Sequence, residues 1–232
     1  MSLSKYFKPD QKLLLTPLPE GQENQTIEYL TTFLVDSKHD YCDLRLPYGK
    51  SVDEQFPFKN EMQVELMGDA LGLGIKVHGH FDRYLDTNTI RIRINPNLEM
   101  FKRRYFPRSN CTLGIRYTKG RGTLRSYREQ WLKNVQLLDK AVDLSKLRNF
   151  PRLPANISSS GIRIPVKPPI AEADLCLLLI ELGENAPPVC ALAEVVWISP
   201  QEDSDALLAG MQFIKIRKSD QQRIAKFLNQ RV

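Results

Sequence analysis

The stretch Asn156-Ile157-Ser158-Ser159-Ser160-Gly161, followed by Ile162-Arg163-Ile164-Pro165-Val166, decides how the chain is read. Its first half is polar and ends in glycine. Its second half places Ile162, Ile164 and Val166 at every other position, the period of a strand with one buried face. The reading is a tight turn that feeds a strand. Asn and Ser side chains bond backbone groups in such turns, and Gly161 is expected to supply a positive φ. Upstream, Arg103-Arg104-Tyr105-Phe106-Pro107-Arg108 gathers guanidinium groups on a short, proline-stiffened arm. Arginine grips planar pairs of acceptors at two points, whether phosphate oxygens or the O6/N7 edge of guanine. Arm and turn together point to a site for an anionic guanine nucleotide.

The two segments resemble the paired signature of PilZ domains, RxxxR followed by (D/N)xSxxG. Here it is carried by Arg104, Arg108, Asn156, Ser158 and Gly161. Ala193-Glu194-Val195-Val196-Trp197 resembles that family's late strand, and Gly210-Met211-Gln212-Phe213 its last strand. Ile224-Ala225-Lys226-Phe227-Leu228 resembles its closing helix. The layout upstream is similar to YcgR-like proteins, which set a second small β-domain before the PilZ domain. The resemblance implies a non-enzymatic cytoplasmic receptor for cyclic di-GMP, a bacterial second messenger, that changes conformation or interdomain arrangement on binding it. It implies that Arg104 and Arg108 engage phosphates and the Hoogsteen edge of guanine. Asn156 and Ser158 hold the other edge or the phosphate, and Gly161 admits a close backbone. An arginine just before the motif, Arg103, implies an intercalated ligand dimer.

The RxxxR spacing recurs at Arg121/Arg125 and Arg148/Arg152. Arg121/Arg125 opens a helix and reads as a solvated face. Arg152 stands too near Asn156 for a strand to leave and return, so Arg148 and Arg152 are secondary candidates. Only Arg104/Arg108 is followed by a strand that can separate arm from turn, Thr112 to Tyr117.

Between that strand and the turn, Leu124, Tyr127, Trp131, Val135, Leu138 and Val142 recur at spacings of three and four. This is an amphipathic helix, expected over 123–147, with Ser126 and Glu129 as a capping box. Its apolar stripe either packs on the chain's own barrel or joins chains into a homo-oligomer. A last helix is expected from Ser219, with Ile224, Phe227 and Leu228 on one face.

The N-terminal part shows short alternating runs: Cys42-Leu44-Leu46, Met62-Val64-Leu66, and Ile90-Ile92-Ile94 with Arg91 and Arg93 opposed. Residues 1–26 read as a loose leader in which Leu13-Leu14-Leu15 forms at most an edge strand. Thr26 to Val35 reads as one strand. The expected fold is therefore mainly β: two small β-barrel domains, 1–98 and 99–232, with the boundary near Asn95-Pro96-Asn97. The C-terminal one is PilZ-like, with an inserted long helix and a C-terminal helix.

The 232 residues carry a formal net charge of +6. That favours an anionic partner without choosing among nucleotide, nucleic acid and acidic protein. A non-binding PilZ-like scaffold acting through its helix, and a basic barrel for nucleic acid, are the alternative functions. Cys42, Cys111, Cys176 and Cys190 form no CxxC and read as reduced thiols. His78-Gly79-His80 lacks a third ligand and reads as a strand end rather than a metal site. No nucleophile elbow or acid/base pair stands out, so no enzyme and no cofactor are expected. No apolar run is long enough to insert in a membrane. A downstream protein partner is expected but not named by any motif.

Overall fold

The computed structural model describes residues 5–18, 25–48, 51–102, 107–120, 122–140, 150–183, 186–201 and 205–230. The chain divides into two compact units, Met1–Glu23 with Glu28–Tyr105, and Asn24–Ile27 with Phe106–Val232. Each is built on its own closed antiparallel barrel.

In the first unit, β1 (Lys12–Leu18), β3 (Leu30–Ser37), β4 (Tyr41–Arg45), β5 (Gln63–Ala70), β6 (Leu73–Tyr84) and β7 (Thr89–Phe101) close in the order β1-β3-β4-β7-β6-β5. Closure leaves no unpaired edge in this sheet. Ile90 and Ile92 point inward and are fully buried, while Arg91 faces out and grips Asp43 at two points, 2.8 and 2.9 Å. The Tyr41 ring lies 3.9 Å under the same guanidinium. β5 and β6 are joined by Leu71-Gly72, both at positive φ (54° and 79°), the loop geometry that matches the twist of a two-residue hairpin.

Four expectations for this unit change. The presumed leader contains a full barrel strand: β1 pairs with both β3 and β5, and Leu13 and Leu15 are buried. The outward Leu14 hides the alternation, so the run reads as no more than an edge strand from sequence. Phe7 is buried as well, packed where a Cβ on Gly68 would stand 2.7 Å from its ring. Thr26 to Val35 is not one strand, because β2 (Thr26–Glu28) ends before Tyr29 and β3 begins at Leu30. His78 and His80 lie within β6, not at a strand end. The His78 Nε2 stands 3.9 Å from Glu65 and 3.8 Å from Glu99. Residues 95–97, the expected boundary, fall inside β7. The register shifts there, between the pairs Gly79↔Ile94 and Val77↔Leu98.

In the second unit, β8 (Ser109–Lys119) leads to α1 (Leu124–Asp139), then β9 (Arg152–Ser158), β10 (Gly161–Val166), β11 (Leu175–Glu181), β12 (Val189–Pro200), β13 (Leu207–Arg217) and α2 (Lys218–Asn229). The strands run β10-β9-β8-β11-β12-β13, β13 pairs back onto β10, and β2 adds to β13. The core is inward-facing, with Ile115, Ile157, Ile164, Cys176, Leu178, Ile180 and Phe213 among its members. The Ile224, Phe227 and Leu228 face of α2 joins this core. α2 starts at Lys218, one residue earlier than expected, and Ser219 is inside it.

α1 is the expected amphipathic helix. Its stripe of Leu124, Tyr127, Trp131, Val135 and Leu138 is buried, and Trp131 Nε1 donates to the Cys190 carbonyl of β12 at 3.0 Å. Of the two readings of that stripe, packing on the chain's own barrel is the one the structure takes. The cap differs from expectation: Thr123 is the N-cap, its hydroxyl accepting from Ser126 N at 3.2 Å. The stretch 141–147 of the expected helix, with Val142, lies outside the described residues, as does Arg121.

Candidate functional site

β9 and β10 form a hairpin in which Ser158 pairs with Gly161 across the two-residue loop Ser159-Ser160. The loop is held from outside: Phe213 N on β13 donates to the Ser160 carbonyl at 2.9 Å, and Gln221 Nε2 on α2 to that of Ser159 at 3.1 Å. Ser158 is buried, with its hydroxyl 3.2 Å from that of Ser160 and 3.4 Å from the Gly161 carbonyl. Ser159 is also buried, and its hydroxyl has no partner among the described residues.

Gly161 does not take the expected positive φ; among the described glycines only Gly72 and Gly183 do. The position demands glycine for space. A Cβ there would stand 2.4 Å from the Met211 carbonyl oxygen, so a side chain would push β13 off β10.

Register sets the start of β8 beside the end of β9. β8 pairs with β9 as Ser109↔Ile157 and Asn110↔Asn156, and Arg108 directly precedes the first of these pairs. Arg108 is exposed at this end of the sheet. Arg103 and Arg104 lie outside the described residues, as does Arg148. Asn156 Nδ2 donates to Asn110 Oδ1 at 2.8 Å, forming an amide pair on the outer face. Asn110 escapes a sequence reading because it belongs to no motif; only the register assigns it. Arg152 sits on the same strand face as Asn156 but about 13 Å along it, at ~3.3 Å per residue. Its Nη2 donates to the Thr112 carbonyl at 3.2 Å, away from the turn.

The amide pair is part of a longer cross-strand row. Asn156 pairs with Arg163 on β10, Arg163 with Gly210 on β13, and Gly210 with Trp197 on β12. Their strand neighbours Ala155, Ile157, Ile162, Ile164, Ala209 and Met211 fill the core, so the row faces outward. The Trp197 indole covers Gly210, where a Cβ would stand 2.2 Å from its Nε1, and remains 38% exposed.

Two thiols of the second barrel are held neutral by burial. Burial, with the Asp174 charge second, pushes the Cys176 thiol up to about 12. Burial and then Asp220 do the same to Cys190. Among the described residues no group of three or more His, Cys, Asp and Glu is placed to hold a metal ion. Asp220, buried in the first turn of α2, is paired with Arg217 at 3.0 Å and Arg223 at 2.9 Å.

A PilZ domain model matches residues 102–230, the segment that carries the second barrel, its hairpin and both helices. The chain belongs to the PilZ domain family. Among solved structures it is similar to the inhibitor of motility MotI/DgrA of Bacillus subtilis, at 14% identity and TM-score 0.39, covering 97% of each chain. It is similar to YcgR of Escherichia coli in complex with c-di-GMP, at 12% identity and TM-score 0.36, covering 95% of this chain and 83% of that one. A third is the MrkH–c-di-GMP complex of K. pneumonia, at 14% identity and TM-score 0.33, covering 95% of this chain and 86% of that one. No curated protein matches the sequence. Within the PilZ domain, the glycine of the hairpin is thus explained by strand approach and the asparagine by its partner on β8.

Proposed function

We propose that this protein is a non-enzymatic receptor for cyclic di-GMP, acting in the cytoplasm through a change in conformation or interdomain arrangement. The observation that carries the reading is a PilZ domain in which β8, beginning one residue after Arg108, pairs with β9 as Ser109↔Ile157 and Asn110↔Asn156. Arg104 and Arg108 take phosphates and the Hoogsteen edge of guanine, since each guanidinium offers paired donors to paired acceptors. Arg103 stacks on a base, and the ligand enters as an intercalated dimer. Asn156 and Ser158 hydrogen-bond the nucleotide from the hairpin side. The arm lies at the junction of the two units in sequence, so fixing it on ligand is the event a downstream protein partner reads. The scaffold alternative draws no support from α1, whose stripe serves its own barrel. Any homo-oligomer formed through α1 uses its outer side, where Leu132 and Leu137 are exposed.

Calorimetric titration of cyclic di-GMP tests the reading. Arg104→Ala and Arg108→Ala each weaken binding roughly ten- to a hundredfold, the loss of about 1–3 kcal/mol for one two-point contact. Arg152→Ala, held by a backbone carbonyl away from the turn, does less. No heat from the parent, and no ligand-induced rise in its melting temperature, ends the receptor reading. Arm variants that bind like the parent while Arg152→Ala fails move the site to the other arginines.

A further inference from the structure

Arg163 lies outside both signature motifs, yet it occupies the middle of the outward row that contains Asn156. Its side chain is exposed. The ladder surrounds it with Asn156 and Gly210 to either side, Gly161 and Pro165 along its strand, and Leu208 and Gln212 diagonally. None of these is acidic, and among the described residues Arg163 makes no ion pair. Other strand-borne arginines of the chain differ. Arg91 is closed onto Asp43, Arg217 onto Asp220, and Arg152 onto a carbonyl. Among the described residues this guanidinium faces no counter-charge, which leaves its paired donors open to a ligand.

The two flanks of Arg163 indicate what it receives. On one side stands the Asn110–Asn156 amide pair. On the other the Trp197 indole covers Gly210, presenting a partly exposed aromatic face. Strands are about 4.8 Å apart, so the row from Asn110 to Trp197 spans roughly 20 Å. That is ample for a purine lying beside an arginine. A π-face, a planar guanidinium and an amide side by side suit a heterocyclic base better than an isolated phosphate, which takes cationic charge alone.

We propose that Arg163 is a further ligand-contacting residue of the nucleotide site and that it reads the O6/N7 edge of a guanine held between Asn156 and Trp197. The proposal rests on the cyclic di-GMP reading above, and it extends the site from the arm and turn onto the outer faces of β10, β13 and β12. Arg163 takes the base by two parallel N–H···acceptor bonds. A lysine, a point charge on a flexible stem, reproduces attraction to phosphate but not that geometry.

The test is calorimetric titration of cyclic di-GMP into the full-length parent, Arg163→Ala and Arg163→Lys, at two salt concentrations. Ligand-free melting temperatures are compared first; the exposed position predicts little change. Both variants bind roughly ten- to a hundredfold more weakly than the parent, with the salt dependence of affinity unchanged. Three results overturn the assignment while leaving the receptor reading in place. One is parent-like binding by Arg163→Ala. The second is full recovery in Arg163→Lys. The third is a shallower salt dependence in Arg163→Ala, since the last two identify a phosphate contact. Absence of heat from the parent removes the receptor reading and this proposal together.

Discussion

Residue Gly161 shows how one position can be right for a reason other than the expected one. The turn reading asks for backbone freedom, and the structure asks for clearance. With its φ negative, an alanine is free of backbone strain, but its Cβ would meet the Met211 carbonyl at 2.4 Å. The clash is with main chain, so it is relieved only by separating β10 from β13, the pairing that closes the barrel. Gly161→Ala is expected to cost about 1–3 kcal/mol, the usual range for overpacking. Chemical denaturation reads this directly, and an unchanged midpoint would show that the strands give way freely. The turn holding Asn156 and Ser158 was legible from its polar run ending in glycine. Asn110 was not, because its relation to Asn156 exists only in the register of β8 on β9.

At the scale of elements, α1 was legible because a three-four spacing survives any tertiary context. Its destination was not, since a buried stripe and an interface stripe have the same pattern. The structure decides through Trp131, buried against β12 and donating to the Cys190 carbonyl. Lys215 on β13 places its ammonium 5.2 Å from the same ring. Trp131→Ala is therefore expected to destabilise the second unit by about 3–5 kcal/mol, the range for emptying a large aromatic site. Trp131→Phe keeps most of the packing and leaves the Cys190 carbonyl without its donor, costing about 1–3 kcal/mol. Denaturant midpoints separate the two. Equal, small losses in both would mean that α1 is only loosely docked. β1 is the opposite case: it reads as no more than an edge strand, because three consecutive leucines conceal which two face inward, and the structure pairs it on both sides.

Over the whole molecule, alternation revealed that the chain is built of strands, and the motif revealed which part is the PilZ domain. Neither revealed closure. That β1 joins β5 and β10 joins β13 depends on pairings between residues distant in sequence, which no local pattern encodes. Closure has a chemical consequence for the thiols. Cys176 and Cys190 lie against the second barrel's core and helix, and burial raises both to about 12 from an ordinary value near 9. In the unfolded chain these thiols ionise from about pH 9, while in the folded chain they stay neutral until about 12. Above the unfolded value the unfolded state therefore binds fewer protons, and stability falls as pH rises. Their contribution is fully present below pH 9 and declines by about 1.4 kcal/mol per pH unit per thiol above it. Tyr127, raised chiefly by burial, adds to the same trend. The thiol share is isolated by comparison: the denaturation free energy of Cys176→Ala/Cys190→Ala should fall less steeply between pH 9 and 11 than that of the parent. Parallel slopes would mean that the barrel opens enough at alkaline pH to ionise these thiols without unfolding.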